Sequence, residues 1–396
     1  MNHKNHSSDS EWKEYKLREV VSSNCQSISV KYPFEEILYL DTGSITEGKI
    51  ESLQNYKLSG APSRAKRLVK QNDIIYSTVR PIQKHFGFIN HPPENLVVST
   101  GFSVIETKTE YAEPKFIYYF LIADETVEFL DVIAEASTSA YPSIKPTDIE
   151  NLDINLPPLP EQKFIASVLS SLDDKIDLLH RQNKTLEQLA ETLFRQWFVV
   201  EAEESWKIGT LDDEFDFSMG QSPPGESYNE IGDGIIFFQG RTDFDFRFPK
   251  TRMFTSQPSR YAKQFDTLIS VRAPVGDMNM AYTDCCIGRG LSAFRYKHNP
   301  TFYSYTYYKL RSLMQQIKQF EDNGTVFGSI TKNDFNRLEN TIPSMELINN
   351  FQKKVKPIDE KIFSNYNQIR TLTQLRDTLL PKLMSGKVRL NCDSFD

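Results

Sequence analysis

Two long stretches of this chain, residues 12–199 and 206–390, follow one plan at an offset of about 190 residues. Each opens on Trp-Lys, at Trp12-Lys13 and Trp206-Lys207. Each continues into a strand-like segment ending in Val-Arg, DIIYSTVRP from Asp73 and DTLISVRAP from Asp266. Aromatic, helix-like runs follow at 116–130 and 302–320, then YPSIKPTDIENLDINLPPL from Tyr141 and FGSITKNDFNRLENTIPSM from Phe327. Solenoid units are only about 20–50 residues long, so this period describes a duplicated domain. A protein of two similar halves can hold two similar targets at a fixed separation.

Within the first half, residues 36–45, 73–79, 85–90 and 101–106 read as strands, rich in β-branched and aromatic residues between turn signals. Pro92-Pro93 marks a loop, and Pro114 starts one helix running through about Leu130. LPPLPEQ from Leu156 breaks the chain, and Pro160 suits the first turn of a new helix.

That helix carries the strongest local signal. Ile165, Val168, Leu172, Ile176, Leu179, Asn183, Leu186, Ala190, Leu193 and Trp197 alternate spacings of three and four, the heptad of a coiled coil. Phe351, Val355, Ile358, Ile362, Asn365, Ile369, Leu372, Arg376, Leu379 and Leu383 do the same, and a shift of about 186 residues superposes most positions. Pro357 is expected to break or kink the second helix. Two matched apolar seams each need a partner, and a duplicated chain with a pseudo-two-fold pairs them antiparallel. Asn183, Asn365 and Arg376 interrupt the seams, where polar groups fix register at some cost in stability. The alternative is two unrelated amphipathic helices buried in separate domains.

The expected fold is therefore α+β: two similar mixed α/β domains separated by two long antiparallel helices forming an intramolecular coiled coil. The expected boundaries are a disordered tail at 1–11, domains at 12–155 and 206–340, helices at 156–205 and 341–390, and a tail at 391–396.

Other functions find little support. Net charge is −7, but residues 206–340 carry 16 basic and 16 acidic side chains against 16 and 22 in 1–159, so only local patches could hold phosphates. Four cysteines (Cys25, Cys285, Cys286, Cys392) show no ligand spacing and read as reduced, buried thiols. No metal site is expected. There is no phosphate-cradling glycine loop, no Asn/Asp-Pro-Pro-Tyr/Phe methyltransferase segment, and no carboxylate array of a nuclease, so the chain reads as non-catalytic. No apolar run is long enough for a membrane span and the N-terminus lacks a signal peptide, so a cytoplasmic location is expected.

LPPLPEQKFIASVLSSLDDKIDLL from Leu156, LAETLFRQWFV from Leu189 and LRDTLLPKLMSGKVRL from Leu375 together resemble the conserved regions of specificity subunits of Type I restriction–modification systems. The resemblance covers nearly all of the chain beyond residue 11, with IPSMELI departing from LPPLPEQ in the second half. It implies two target-recognition domains, each reading half of a split double-stranded DNA sequence, and two helices acting as a ruler. It also implies two modification subunits that bind S-adenosylmethionine and methylate adenine, with restriction subunits supplying ATP- and Mg-dependent cleavage. No cofactor is then expected on this chain.

The seam from Leu172 to Trp197 spans about 39 Å at 1.5 Å per residue, or about 11 base pairs. Half-site centres about 10–13 pairs apart follow, with an unread gap of roughly 5–8. Base readout wants Arg, Lys, Asn, Gln, Ser or Thr on reaching loops, backed by phosphate contacts. In the first half the candidates are Arg64, Lys66, Arg67, Arg80, Lys84, His85 and Ser143. In the second they are Gln221, Arg241, Arg252, Arg272, Arg289, Thr325 and Ser329. Trp197 and Phe198 are either helix-end packing or an anchor for a modification subunit. A coiled-coil adaptor whose two domains bind proteins is the rival reading, favoured slightly by the acidic charge.

Overall fold

The computed structural model describes residues 12–137, 141–322 and 329–389. The expected tails, Thr325 and Cys392 lie outside them. The chain forms two compact units, one comprising residues up to Ile176 together with those from Thr371 on, the other Asp177–Arg370.

In the first unit a four-stranded antiparallel sheet runs in the order Val21–Ser23, Phe102–Thr107, Ile74–Ser77, Phe86–Phe88. Its strands are buried on both faces because the side-chain period of two sends alternate residues to different cores. Ile74, Tyr76 and Ile105 pack under the helices, while Ile75, Phe102 and Val104 pack towards a second sheet. That sheet has the order Gln54–Lys57, Glu36–Leu40, Leu96–Ser99, Ala65–Leu68, and its central pair is parallel, with Val97 opposite Tyr39. Lys13–Lys16 pairs with Asp153–Leu156 and closes the domain where the long helix begins.

The second unit repeats this plan. Phe215–Met219, Leu291–Tyr296, Thr267–Ser270 and Met278–Met280 form the matching antiparallel sheet. The second sheet again has a parallel centre, Phe237 opposite Cys286, and Lys207–Thr210 pairs with Glu339–Ile342. Cys285 and Cys286 are buried in this sheet, whereas Cys25, in a loop, is exposed, correcting the expectation of buried thiols throughout.

The single helix expected from Pro114 is two, Pro114–Ile122 and Asp124–Glu135, with Ala123 extended between them. Asp124 and Glu125 begin the second at the end where the helix dipole favours acidic groups. The other unit breaks likewise at Leu313, between Tyr303–Ser312 and Met314–Asp322.

The long helices are Leu159–Arg195, extended by a π-turn at Gln196–Val200, and Met345–Met384. The second is unbroken at Pro357. Lys353 and Pro357 are both exposed, so the carbonyl that proline leaves unpaired faces water. Within each unit the helices run antiparallel. In the first unit Ile165 and Leu169 share a core with Leu380 and Leu383, and Arg376 meets Asp173 at 3.0 Å. In the second, Leu186, Ala190 and Phe194 share a core with Phe351, Val355 and Ile362, and Asn365 meets Asn183 at 2.8 Å. Ile176, Leu179 and Ile362 are buried, and Leu172, Leu193, Ile358, Ile369, Leu372 and Leu379 half-buried, as the heptad requires.

Each domain grips its helices through the same kind of bond. The Tyr119 hydroxyl donates to Asp173 at 2.7 Å, and the Tyr308 hydroxyl to Asp359 at 3.3 Å.

Candidate nucleic-acid interface

In the first unit the turn Ser99-Thr100-Gly101 ties two loops together. Thr100 N–H donates to the Arg64 carbonyl at 2.8 Å, while the Gly101 carbonyl accepts from the Thr78 N–H at 2.8 Å and its hydroxyl at 2.9 Å. Thr78–Arg80 in turn pairs with Pro142–Ile144, through Arg80 N–H to Pro142 O at 3.0 Å and Ile144 N–H to Thr78 O at 2.8 Å. Arg64, Arg80 and Ser143, far apart in sequence, thus meet round one turn. Arg80 has φ of 46° and Lys84 56°. Such left-handed backbone costs a non-glycine residue about 1 kcal/mol or more and concentrates at functional loops.

The second unit builds the same cluster round Gly288-Arg289-Gly290. The Gly290 carbonyl accepts from Val271 N–H at 2.9 Å, as Gly101 does from Thr78, and Ile330 N–H reaches Val271 O at 3.0 Å, as Ile144 reaches Thr78. Arg272 and Ser329 form the bridge that Val79 and Ser143 form in the first unit. Gln221 N–H donates to Ile287 O at 3.0 Å and Arg289 N–H to Ser222 Oγ at 3.3 Å. Gln221, Arg272, Arg289 and Ser329 are therefore brought together. The two Val-Arg pairs are not equivalent: one extra residue in the first unit places Arg80 one position beyond the counterpart of Arg272.

Other candidates are engaged within the chain. Lys84 pairs with Asp124 at 2.9 Å, and that bond raises its pKa. His85 Nδ1 lies 2.6 Å from the Ile45 carbonyl. Arg241 pairs with Asp277, and Arg252 Nε donates to Asp243 at 3.1 Å. Asp243 also accepts the Gln239 N–H at 2.7 Å, so Arg252 braces the loop beside the turn. The run 63–70 forms an edge strand, Ala65–Leu68, in which Lys66 is exposed and Arg67 half-buried, burial lowering its pKa. Among the described residues Arg64, Lys66, Arg80, Arg272 and Arg289 make no ion pair and are exposed.

Two features escaped the sequence reading. Arg260 stands where Arg67 stands in the repeat, within the matching runs RLVKQND and RYAKQFD, and is exposed beside the turn, its carbonyl accepting from Ile287 N–H at 2.9 Å. The shared Lys-Gln-x-Asp spacing was the available signal. Arg247, fully buried, donates to Glu187 at 3.2 Å and Asp359 at 2.8 Å, one from each long helix, and stacks 3.3 Å from the Tyr307 ring centroid. It locks the second domain to both helices, and nothing local in the sequence marks it.

Phe198 is buried, stacked on Phe194 and edge-on to Phe351, which is helix-end packing; Trp197 is half-buried against Phe351. No cluster of His, Cys, Asp or Glu among the described residues is placed to hold a metal ion.

Comparison with known proteins adds an independent line. Residues 9–188 match the family model described as the Type I restriction modification DNA specificity domain. The chain is 28% identical to a putative Type I restriction enzyme MjaX specificity subunit of Methanocaldococcus jannaschii, covering 94% of this chain and 91% of that one. It is 25% identical to the HindI specificity subunit of Haemophilus influenzae, over 96% and 100%. Among solved structures, the HsdS subunit from Thermoanaerobacter tengcongensis is 30% identical over 96% and 97%, with a TM-score of 0.41. The Type I S subunit from M. genitalium, 18% identical over 97% and 98%, has a TM-score of 0.60 and shares the fold.

Proposed function

The chain belongs to the specificity subunits of Type I restriction–modification systems, and from that premise we propose that each unit reads one half of a split DNA site. The observation that carries this reading is the repeated loop cluster. Two domains of one topology present hydroxyls and arginines without an ion pair round equivalent turns, the residue types that phosphates and base edges require. The net charge of −7 gives the chain no general attraction for DNA, so binding would be confined to these clusters.

The paired helices set the distance between half-sites, because helices braced along a common seam resist bending and each residue adds 1.5 Å. Two modification subunits dock on the helices, bring S-adenosylmethionine and methylate an adenine in each half-site. Restriction subunits add ATP- and Mg-dependent cleavage. This chain selects the sequence and carries out no chemistry itself. It works on DNA in the cytoplasm; none of the described helices is long and apolar enough to cross a membrane.

Methylation sequencing of cells with and without the gene, its partner genes intact, tests the reading. A split motif carrying N6-methyladenine should be present with the gene and vanish without it. An unchanged methylome would overturn the proposal.

A further inference from the structure

The two clusters share their border and differ at their tip. Arg67 and Arg260 occupy one position at the sheet side of the turn, and Arg80 and Arg272 fall within one position of each other on the opposite side. The glycine that closes the turn is common, Gly101 and Gly290. The residue at the apex is not: Thr100 in the first unit, Arg289 in the second.

The second turn is also held tightly. A Cβ on Gly290 would stand 2.7 Å from the Gln239 carbonyl oxygen, one on Gly288 3.2 Å from the Gln239 Cα, and one on Gly220 2.2 Å from the Gly288 carbonyl oxygen. A Cβ finds no room at Gly290 or Gly220 and little at Gly288, so two segments of backbone, at Gln239 and at Gly220, close on the turn and fix the place from which Arg289 projects. Its neighbours Arg241 and Arg252 are neutralised by Asp277 and Asp243, whereas Arg289 is exposed and has no ion pair among the described residues.

Resting on the function proposed above, we infer that the border arginines hold phosphates in both units and that the apex residue reads a base. Arg289 recognises a guanine in the half-site of the second unit, through the paired O6 and N7 acceptors that a guanidinium fork matches. Thr100, with one short hydroxyl, cannot make that contact, so the half-site of the first unit is read differently at the same point. A rigid backbone beneath an exposed arginine favours base reading, because the bidentate bond to a base edge demands one orientation at one position along the groove.

The test uses the complex with its modification subunits. The wild-type motif is mapped by methylation sequencing, then Arg289→Lys and Arg289→Thr are mapped the same way. Binding of each purified complex is also measured on duplexes carrying every substitution in one half-site. The expected result is that one G·C pair in one half-site loses about tenfold or more of its discrimination in Arg289→Thr, while the other half-site is read as before. Equal weakening on all duplexes would make Arg289 a phosphate contact and overturn the inference, as would an unchanged motif. A wild-type chain that yields no split motif would instead overturn the functional reading on which the inference rests.

Discussion

The side-chain amide of Asn365 donates to the side-chain carbonyl of Asn183 at 2.8 Å, both residues buried in the seam between the long helices. The shift of 186 residues that superposes the two helix sequences carries this pair onto Leu179 and Ile369, so the polar contact is not repeated in the duplicated seam. Asn183→Leu alone strands a buried amide and should cost about 1–3 kcal/mol, whereas Asn183→Leu with Asn365→Leu should recover most of that loss. A double-mutant cycle by urea unfolding measures the coupling. Strictly additive effects would show that the bond does not matter.

Arg247 answers two carboxylates, Glu187 and Asp359, in a site without water access. Arg247→Met leaves Asp359 buried without a cation and Glu187 with Arg311 alone, 3.1 Å away, and should destabilise the second unit by about 3–5 kcal/mol. Adding Glu187→Leu and Asp359→Leu removes both buried carboxylates, with Arg311 keeping Glu191, and should restore much of the stability. Thermal unfolding of the three variants decides it. Failure of the triple variant to recover would mean that the network supplies packing that apolar groups cannot replace.

Burial pushes the Asp73 carboxyl up to about 6, against an ordinary value of 3.8, with Glu106 adding to the rise and Lys70 opposing it. Above about pH 6 the folded chain holds this buried carboxylate ionised at a cost. As pH falls through that value the folded carboxyl takes up a proton before the unfolded one does. Its contribution therefore shifts towards folding until the unfolded group is protonated too. Asp73→Asn should flatten the stability profile of the first unit between about pH 7 and pH 4.5. Identical profiles for variant and parent, followed by urea midpoints, would rule Asp73 out as the titrating group.

Arg80→Ala and Arg272→Ala should each weaken DNA binding about equally on all sequences and lower the salt dependence by roughly one counterion. Filter binding across a salt series checks this. A loss confined to the specific site, of about 1–3 kcal/mol, would reassign that arginine to a base.

Inserting one helical turn at matched points of both long helices adds about 5.4 Å, or one to two base pairs at 3.4 Å each. The unread gap in the motif should lengthen by that amount while both half-sites stay the same. A gap of constant length would show that the helices do not set the spacing.

What the sequence alone determined is what is local or periodic. The duplication, the heptad seams and four strands of the first unit are legible because helix and strand periods repeat within a few residues, and matched registers survive divergence. The break at Ala123, between acidic residues and an aromatic run, is a question of which backbone the surrounding core favours, and periodicity continues through it. Pro357 shows the converse: a local breaker is tolerated because the packed helix leaves its unpaired carbonyl in water.

The tertiary structure decided what depends on distant segments meeting. Phe265 takes a left-handed φ of 68° where the first repeat has Asn72 at 69°. Its ring is kept there by stacking on Tyr303 and standing edge-on to Phe363. The burial of Arg247 rests likewise on two carboxylates 172 positions apart in the chain. The sequence marked ten basic residues as equals; only the fold separates Lys84, Arg241 and Arg252, spent on nearby carboxylates, from Arg80, Arg272 and Arg289, left without an ion pair round two turns. A charge is available to a partner only if the chain has not already satisfied it, and that depends on three-dimensional proximity, which no spacing in the sequence encodes.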